Sequence, residues 1–524
     1  MLESQSLVSR SIAVALAVAA GACNTGASPG VGVVQADVTA GPGAKGCFDP
    51  ADYGAIPDDG VDDRAAAQHA LDDASVAGGT VCFGSGHWRL SRAPVGSYNR
   101  NAGLSTHGKH VALRGTGPGS VLEVVGDQGA ATTWVIALDP GATDITIADL
   151  TIDTSGMTNT EEQTHAIEVG SGVCSTANGT CSQPVSDVRI ERVAIVHPPS
   201  PDGQRKGDCF RMVGNTPDTR VQRVTIIGSS FTSCARSGIA IQRNVFDLAI
   251  LGNQFTAASD QDIDSEPTGG ATDRNATTEI IGNIFRDDVT LRPAAAQGDW
   301  SVTVVGVGGP MSRVVVANNV FEGRGLDLYR SGDITITGNT FFATMSTGYG
   351  VIESENITQR TIIANNTIDR MGVAGPLIRV TPHSGGMPGD FTVSGNVLVQ
   401  ESGGEGIHIE GATDFSVLDN RLKWTSPAAA DTSGIYLRTT TQAATGIVIS
   451  GNQIAGNGLA YGILLAASPN PIGDVTLVGN QLRGATVGLY CGQSTAGLFP
   501  GPITSTGNRF GTVQCPLQTF TAGN

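Results

Sequence analysis

Charged and aromatic side chains are both scarce in this chain: Asp, Glu, Lys and Arg make up 15% of its 524 residues, and Phe, Trp and Tyr 5%. With 40% hydrophobic residues, so little charge excludes a disordered polyelectrolyte. Basic residues are the rarer sign, 31 against 48 acidic ones, and the formal charge of −17 excludes the basic footprint of a nucleic-acid binder. Apolar runs are all too short for a spanning helix. The nine cysteines include no Cys-x-x-Cys pair and no His/Cys group at zinc spacing, so a cysteine-held structural metal is not expected.

What the chain has is glycine, 71 residues of it, and one recurring phrase. An apolar pair followed by Gly-Asn-x-Phe/Leu/Ile recurs from Ile226 to Phe510, carrying Asn253, Asn283, Asn319, Asn339, Asn366, Asn396, Asn420, Asn452, Asn480 and Asn508. Nine steps cover 255 residues, roughly 28 per step, the size of one supersecondary unit. Apolar and polar residues alternate at period two, rich in Val, Ile and Thr, so the unit is built from strands. A second strand precedes each phrase, as in GIAIQ, LDLY, GIHIE and GIYLR. Regularly spaced Leu with a helical return leg, which a leucine-rich repeat would show, is missing. The expected fold is therefore all-β: a right-handed parallel β-helix, a solenoid of about 12 coils with a short N-terminal capping helix. Glycine serves the corners, and the Asn residues are expected to stack as a hydrogen-bonded ladder inside the turns.

The N-terminus reads as an export signal over residues 1–22, with Arg10 ahead of a short apolar run. Ala20-Gly21-Ala22-Cys23 resembles a bacterial lipoprotein signal with Cys23 as the acylated residue, and it also satisfies an ordinary A-x-A cleavage site. Residues 23–45, rich in Gly, Ala, Ser and Pro, form a flexible tether, and 46–524 one β-helix domain. Membrane association is expected only through a lipid at Cys23. Removing Cys23 leaves eight cysteines for an oxidising compartment, with Cys47–Cys82, Cys174–Cys181, Cys209–Cys234 and Cys491–Cys515 as the expected pairs. Buried thiols at Cys209 and Cys234 are the alternative.

Residues 46–92 carry Tyr53-Gly54-Ala55, Asp59-Gly60, Asp62-Asp63, an Ala-rich helix, Gly78-Gly79-Thr80-Val81 and Gly86-His87-Trp88. This module resembles the opening of the pectate-lyase-like superfamily, in particular its rhamnogalacturonase, polygalacturonase and epimerase group. Asp62 is placed to cap the helix, whose Ala67, Leu71 and Ala74 share a face that would cover the first coil. The phrase Asp262-Ile263-Asp264-Ser265-Glu266-Pro267 also resembles bacterial β-helix proteins of that superfamily. The resemblance implies an exported protein acting on a polysaccharide, by glycoside hydrolysis slightly ahead of β-elimination. The superfamily's catalytic signatures are nevertheless missing: Asn-Thr-Asp with paired Asp and Gly-His-Gly, Trp-Ile-Asp-His, and Asp-Pro-His-Asp. A non-catalytic surface protein that adheres to glycans is the alternative.

If Ile239 and Ile241 point inward, the outward row runs Glu168, Arg211, Ala240, Asp264, Thr303, Asp327, Glu353, Arg379, His408 and Tyr436. A second row holds Gln242, Glu266, Val305, Tyr329, Glu355, Thr381, Glu410 and Arg438. Adjacent coils lie about 4.8 Å apart, which puts Asp327 and Glu353 about 5 Å apart and Asp264 and Asp327 about 10 Å. Both separations suit a pair of carboxyls that hydrolyse a glycosidic bond. Asp264, Asp327 and Glu353 are thus the candidate catalytic residues, with Arg211, Glu266, Tyr329, Glu355, Arg379, His408 and Tyr436 lining the groove. For elimination, Arg379, His408 and Tyr436 would supply the base and the carboxylate neutralisation. Asp262, Asp264 and Glu266 repel one another unless a cation, an Arg or the substrate compensates, and Ca²⁺ is the obvious ion for an oxygen-only site.

Overall fold

The computed structural model describes residues 45–524 except 95–99, 107, 126–131, 159–160, 171–182, 198–204, 215, 217, 266–274, 289, 292–299, 306–311, 331, 345–348, 356–358, 372–373, 383–387, 402, 441, 494–498, 502, 516–519 and 524. Residues 1–44, which hold the expected leader, Cys23 and all of the expected tether but Lys45, fall outside the described residues, as do the Cys174–Cys181 pair and Glu266; Lys45 opens the strand Lys45–Phe48. Lys45–Asn524 is one compact unit.

Each coil contributes three strands. One coil shows the pattern: Val245–Leu251 on a first face, Gln254–Thr256 on a second and Ile263–Ser265 on a third. The next coil repeats it with Asn275–Ile281, Ile284–Arg286 and Trp300–Val305, each paired in parallel with its predecessor. The first face grows into a 17-stranded sheet, and the other two share a 28-stranded one. The stack therefore continues in front of the first Gly-Asn phrase, through turns that lack it.

The Asn phrase turns the chain between the first and second faces. Each Asn amide reaches both ways along the stack. For Asn366, Nδ2 donates to the Ile336 carbonyl of the preceding coil (3.0 Å) and to Asn396 Oδ1 of the next (3.0 Å), and its backbone N–H donates to the same Oδ1 (3.0 Å). Its own Oδ1 accepts the equivalent pair from Asn339. The chain of bonds runs unbroken from Ser229 and Asn253 to Asn508. The residue before each ladder Asn is left-handed, at φ 61° for Gly252, 57° for Asn365 and 54° for Asp419, which explains why only Gly, Asn or Asp stands there.

The phrase's final apolar residue points into the core directly after the turn. Phe231, Phe255, Phe285, Phe321 and Phe341 stack face to face with centroids 4.4–5.0 Å apart. The same inward column continues as Ile368, Leu398, Leu422, Ile454 and Leu482. Aromatic contacts of this kind contribute ~1 kcal/mol each beyond the area they bury.

The helix Arg64–Ala77 covers the first coils with Ala67, Ala70, Leu71 and Ala74. Its N-cap is Asp63, whose carboxylate accepts from Ile56 and Arg89 N–H instead of from the helix; the Asp62 carboxylate accepts from Arg64 N–H (3.1 Å). Disulfides join Cys47–Cys82, Cys209–Cys234 and Cys491–Cys515, so Cys209 and Cys234 are not free thiols. These bonds belong to an oxidising compartment and fit an exported protein.

Replacing Asn366 by Ala strips partners from the Ile336 carbonyl and from two N–H groups of the ladder, at ~1–3 kcal/mol for each buried group left unpaired. The expected loss is roughly 2–5 kcal/mol in a urea titration followed by circular dichroism, with Gln failing to rescue because its amide overshoots the coil spacing.

Candidate functional site

The third face is where period-two alternation meets the stack. Ile239, Ile263, Val302, Leu326, Ile352, Ile378, Ile407 and Ile435 fill one inward column, all buried. The residue after each points the other way. Parallel register then puts Glu168, Arg211, Ala240, Asp264, Thr303, Asp327, Glu353, Arg379, His408 and Tyr436 in one continuous row, each beside the next. In the adjoining row Tyr329 stands beside Glu355 and Glu410 beside Arg438.

The row is not a uniformly wet face. Glu353 is buried at 1% exposure. Its Oε2 accepts from Gly350 N–H (2.6 Å), and Arg379 Nη1 lies 3.2 Å from Oε1. Burial nonetheless pushes its carboxyl up to about 7, outweighing the opposing pull of Arg379. Asp327, one coil earlier, goes further: burial first, then the charges of Glu355 and Glu353, raise it to about 8. Its Oδ1 is buried and has no hydrogen-bond partner among the described residues. Asp327 is thus a carboxyl that keeps its proton near neutral pH.

His408, on the other side of Arg379, has Nδ1 held by Glu405 Oε2 at 2.6 Å, while its Nε2 is buried with no partner among the described residues. The Tyr436 ring meets it edge-on at 4.8 Å. Burial also raises the Tyr436 hydroxyl above its ordinary value. A carboxylate orienting one imidazole nitrogen and leaving the other open is the arrangement of a general base.

The N-terminal end of the row is a closed ion network. Arg211 donates to Glu168 (3.2 Å) and to Gln242 Oε1 (2.6 Å). His165 is buried against them, its Nδ1 accepting from Asp208 N–H (2.9 Å), and burial drives it down to about 3, so it is neutral. Arg236 grips the buried Asp208 with two bonds, 2.9 and 2.7 Å, and the charge of Arg236 holds that carboxyl well below the usual range against its burial. Beside this network a cavity of about 200 Å³ opens between Arg236, Ala240, Gln242, Asp260, Gln261 and Asp264.

Asp264, Asp327, Glu353, Arg379, His408 and Tyr436 share the one row that period-two alternation predicts, and Tyr329 and Glu355 lie alongside. Two adjustments arise from burial and pairing. Arg211, expected to line the groove, faces Glu168, Gln242 and His165 and is engaged within the fold. Glu353, expected as a catalytic carboxyl, is enclosed. Of the compensating charges expected for Asp262, a cation, an Arg or the substrate, the buried carboxylate has an arginine, Arg324 Nη2 at 3.1 Å. No group of three His, Cys, Asp or Glu side chains among the described residues is placed to hold a metal ion. Sequence reading missed Glu405, His165, Asp208 and Arg324; the one available signal was Glu405 three residues ahead of His408, within GEGIHIE.

Residues 325–510 match the family model described as a right handed beta helix region. The chain is a right-handed parallel β-helix. That is the architecture which the pectate-lyase-like resemblance implies. No curated protein matches the sequence. Similar solved structures include the Azotobacter vinelandii mannuronan C-5 epimerase AlgE6 A-module, 17% identical at TM-score 0.42 over 89% of this chain and 99% of that one. PfbA, a surface adhesin of Streptococcus pneumoniae, is 16% identical at TM-score 0.43 over 73% and 91%. A hyperthermoactive exopolygalacturonase from Thermotoga maritima is 11% identical at TM-score 0.41 over 74% and 88%.

The raised carboxyls of this β-helix give its stability a pH dependence with a definite sign. Asp327 and Glu353 bind protons more tightly folded than unfolded, so their contribution is complete below their unfolded values and is lost as pH rises through about 7 to 8. Asp139, raised to about 7 by burial, adds to this. Buried His165 and His197 act oppositely, but only below their unfolded value of 6.5. The thermal midpoint is therefore expected to fall between about pH 6.5 and about pH 8.5. Asp327→Asn should flatten that slope, as read by scanning calorimetry.

Proposed function

We propose that the third face binds an extended polysaccharide along the stack axis and hydrolyses it, with Asp327 as the general acid. The observation that carries this reading is the protonated Asp327 carboxyl, its Oδ1 buried without a partner, inside a row of polar side chains repeated once per coil. Such an acid can protonate the departing glycosidic oxygen at neutral pH. Asp264 stands two coils away across Thr303, about 10 Å at the strand spacing, close to the wider carboxyl separation that leaves room for a water. It is the proposed base, activating that water for inversion. Glu353, enclosed and already holding Gly350 N–H, acts through Asp327 by keeping its proton in place. Glu355, Tyr329 and Arg379 line the groove beside the bond to be cut.

One observation favours a second chemistry on the same face. Glu405 holds His408 Nδ1, its buried Nε2 has no partner among the described residues, and the row sets the residue between Arg379 and Tyr436. For a uronate substrate, Arg379 would neutralise the carboxylate, His408 would take the C5 proton, and the C4–O bond would break to leave a C4–C5 double bond. The leaving oxygen would receive a proton from Tyr436. The polysaccharide reading also suits the surroundings: similar folds include an epimerase module named for mannuronan and an exopolygalacturonase.

A panel of neutral and acidic glycans, assayed both for new reducing ends and for ultraviolet absorbance of an unsaturated product, separates the two. Hydrolysis gives reducing ends alone, and Asp327→Asn should lower that rate by about 10²–10⁴-fold. The rate should decline as pH rises through about 8, where Asp327 loses its proton. Elimination gives the absorbance and depends on His408. Normal cleavage by Asp327→Asn removes it as the acid. Binding with no cleavage of any glycan makes the face an adhesive one.

A further inference from the structure

The second face carries charge of the opposite sign at its C-terminal end. From residue 421 onward the chain has five Lys or Arg and only two Asp or Glu, although the whole carries −17. Four of these five cations converge. In one row Val397, Arg421, Gln453, Gln481 and Arg509 follow one another coil by coil, and in the parallel row Val399, Lys423, Ala455 and Arg483 do the same. Together they line a groove of about 550 Å³ that holds no Asp or Glu among the described residues. Arg421, Lys423, Arg483 and Arg509 are exposed and form no ion pair with the described residues. The nearest acid of the row, Asp369, lies two coils before Lys423, with Val399 between them.

Several surface arginines of the other strands and turns are paired instead. Arg192, Arg223, Arg286 and Arg360 each pair with an acidic side chain from a neighbouring coil. Four uncompensated cations in one groove of an acidic protein therefore constitute a standing positive field, concentrated by its walls. The groove runs along the stack axis, its cations spread over three coil steps, ~14 Å at 4.8 Å each. That step is roughly the length of one sugar ring. Gln453 and Gln481 stand between the cations and offer amide donors and acceptors for hydroxyls, and arginine forks fit carboxylates with two bonds.

We infer that this groove binds an acidic, carboxylated glycan strand laid along the axis, on a face separate from the proposed cleavage row. A single-stranded nucleic acid would need aromatic platforms, and none lines the groove among the described residues. A membrane surface would want a broad patch with apolar anchors, not a narrow channel. The inference does not rest on the cleavage reading, because it concerns binding by other residues on another face.

Its test uses the folded β-helix and equilibrium binding in place of activity. Polygalacturonate is the acidic probe and dextran the neutral one, measured by calorimetry at about 50 mM and about 300 mM salt. The parent should bind polygalacturonate more tightly than dextran and lose affinity with salt. The combined variant Arg421→Gln, Lys423→Gln, Arg483→Gln, Arg509→Gln, with an unchanged thermal midpoint, should bind it about tenfold or more weakly with a flatter salt dependence. Arg360→Gln, on the first face and outside both proposed sites, should keep the parent's affinity. The proposal is overturned if the combined variant binds as the parent does, or if the parent prefers dextran. Binding to phosphatidylglycerol vesicles or duplex DNA without binding to polygalacturonate overturns it equally.

Discussion

The structure depends on a side-chain amide that is satisfied only by the coils on either side of it. Each ladder Asn needs a carbonyl from the turn before and an Oδ1 from the turn after, so one coil cannot slip past the next without leaving buried polar groups unpaired. A left-handed residue must precede it, and glycine fills that place at seven of the ten ladder positions. Register is thereby held at one corner, and the strands of the second and third faces inherit it.

Inherited register has an electrostatic price for the outward residues, since every one of them faces its counterpart a few ångströms away. Along the third face the repulsion is relieved in three ways. Arg211 and Arg379 alternate with Glu168 and Glu353; Ala240 and Thr303 separate Asp264 from its neighbours; and Asp327, left adjacent to Glu353, retains its proton. The first two are ordinary packing of charge. The third leaves an acid at neutral pH in a place that an extended ligand can span.

Much of this was legible in the sequence because two periods coincide there. Alternation at period two fixed which residues face out, and the spacing of the Asn phrases fixed which stand beside each other, so the row from Glu168 to Tyr436 could be written from residues alone. What could not be read is enclosure. Whether Glu353 is wet or buried depends on Gly350 folding back to it and on Arg379 from the next coil. Arg324 reaches Asp262 across 62 positions, and Arg236 reaches Asp208 across 28, through loops whose course no periodicity encodes. The first face hides a further column: Asp187, Arg223, Asp247, Asp333, Arg360 and Asp390 all take positive φ at the same strand position, where a sequence reading sees only polar residues in a strand.

The ladder also has an end. Asn508 receives the groups of Asn480 but gives its own amide to Leu477 and to Ser505 of its own coil, so no further rung holds it from beyond among the described residues. Just there Cys491 is bonded to Cys515. A pull applied beyond Phe520–Gly523 would first strip that strand from Ile503–Thr506 and then meet a covalent clasp, before the coils behind it could unspool.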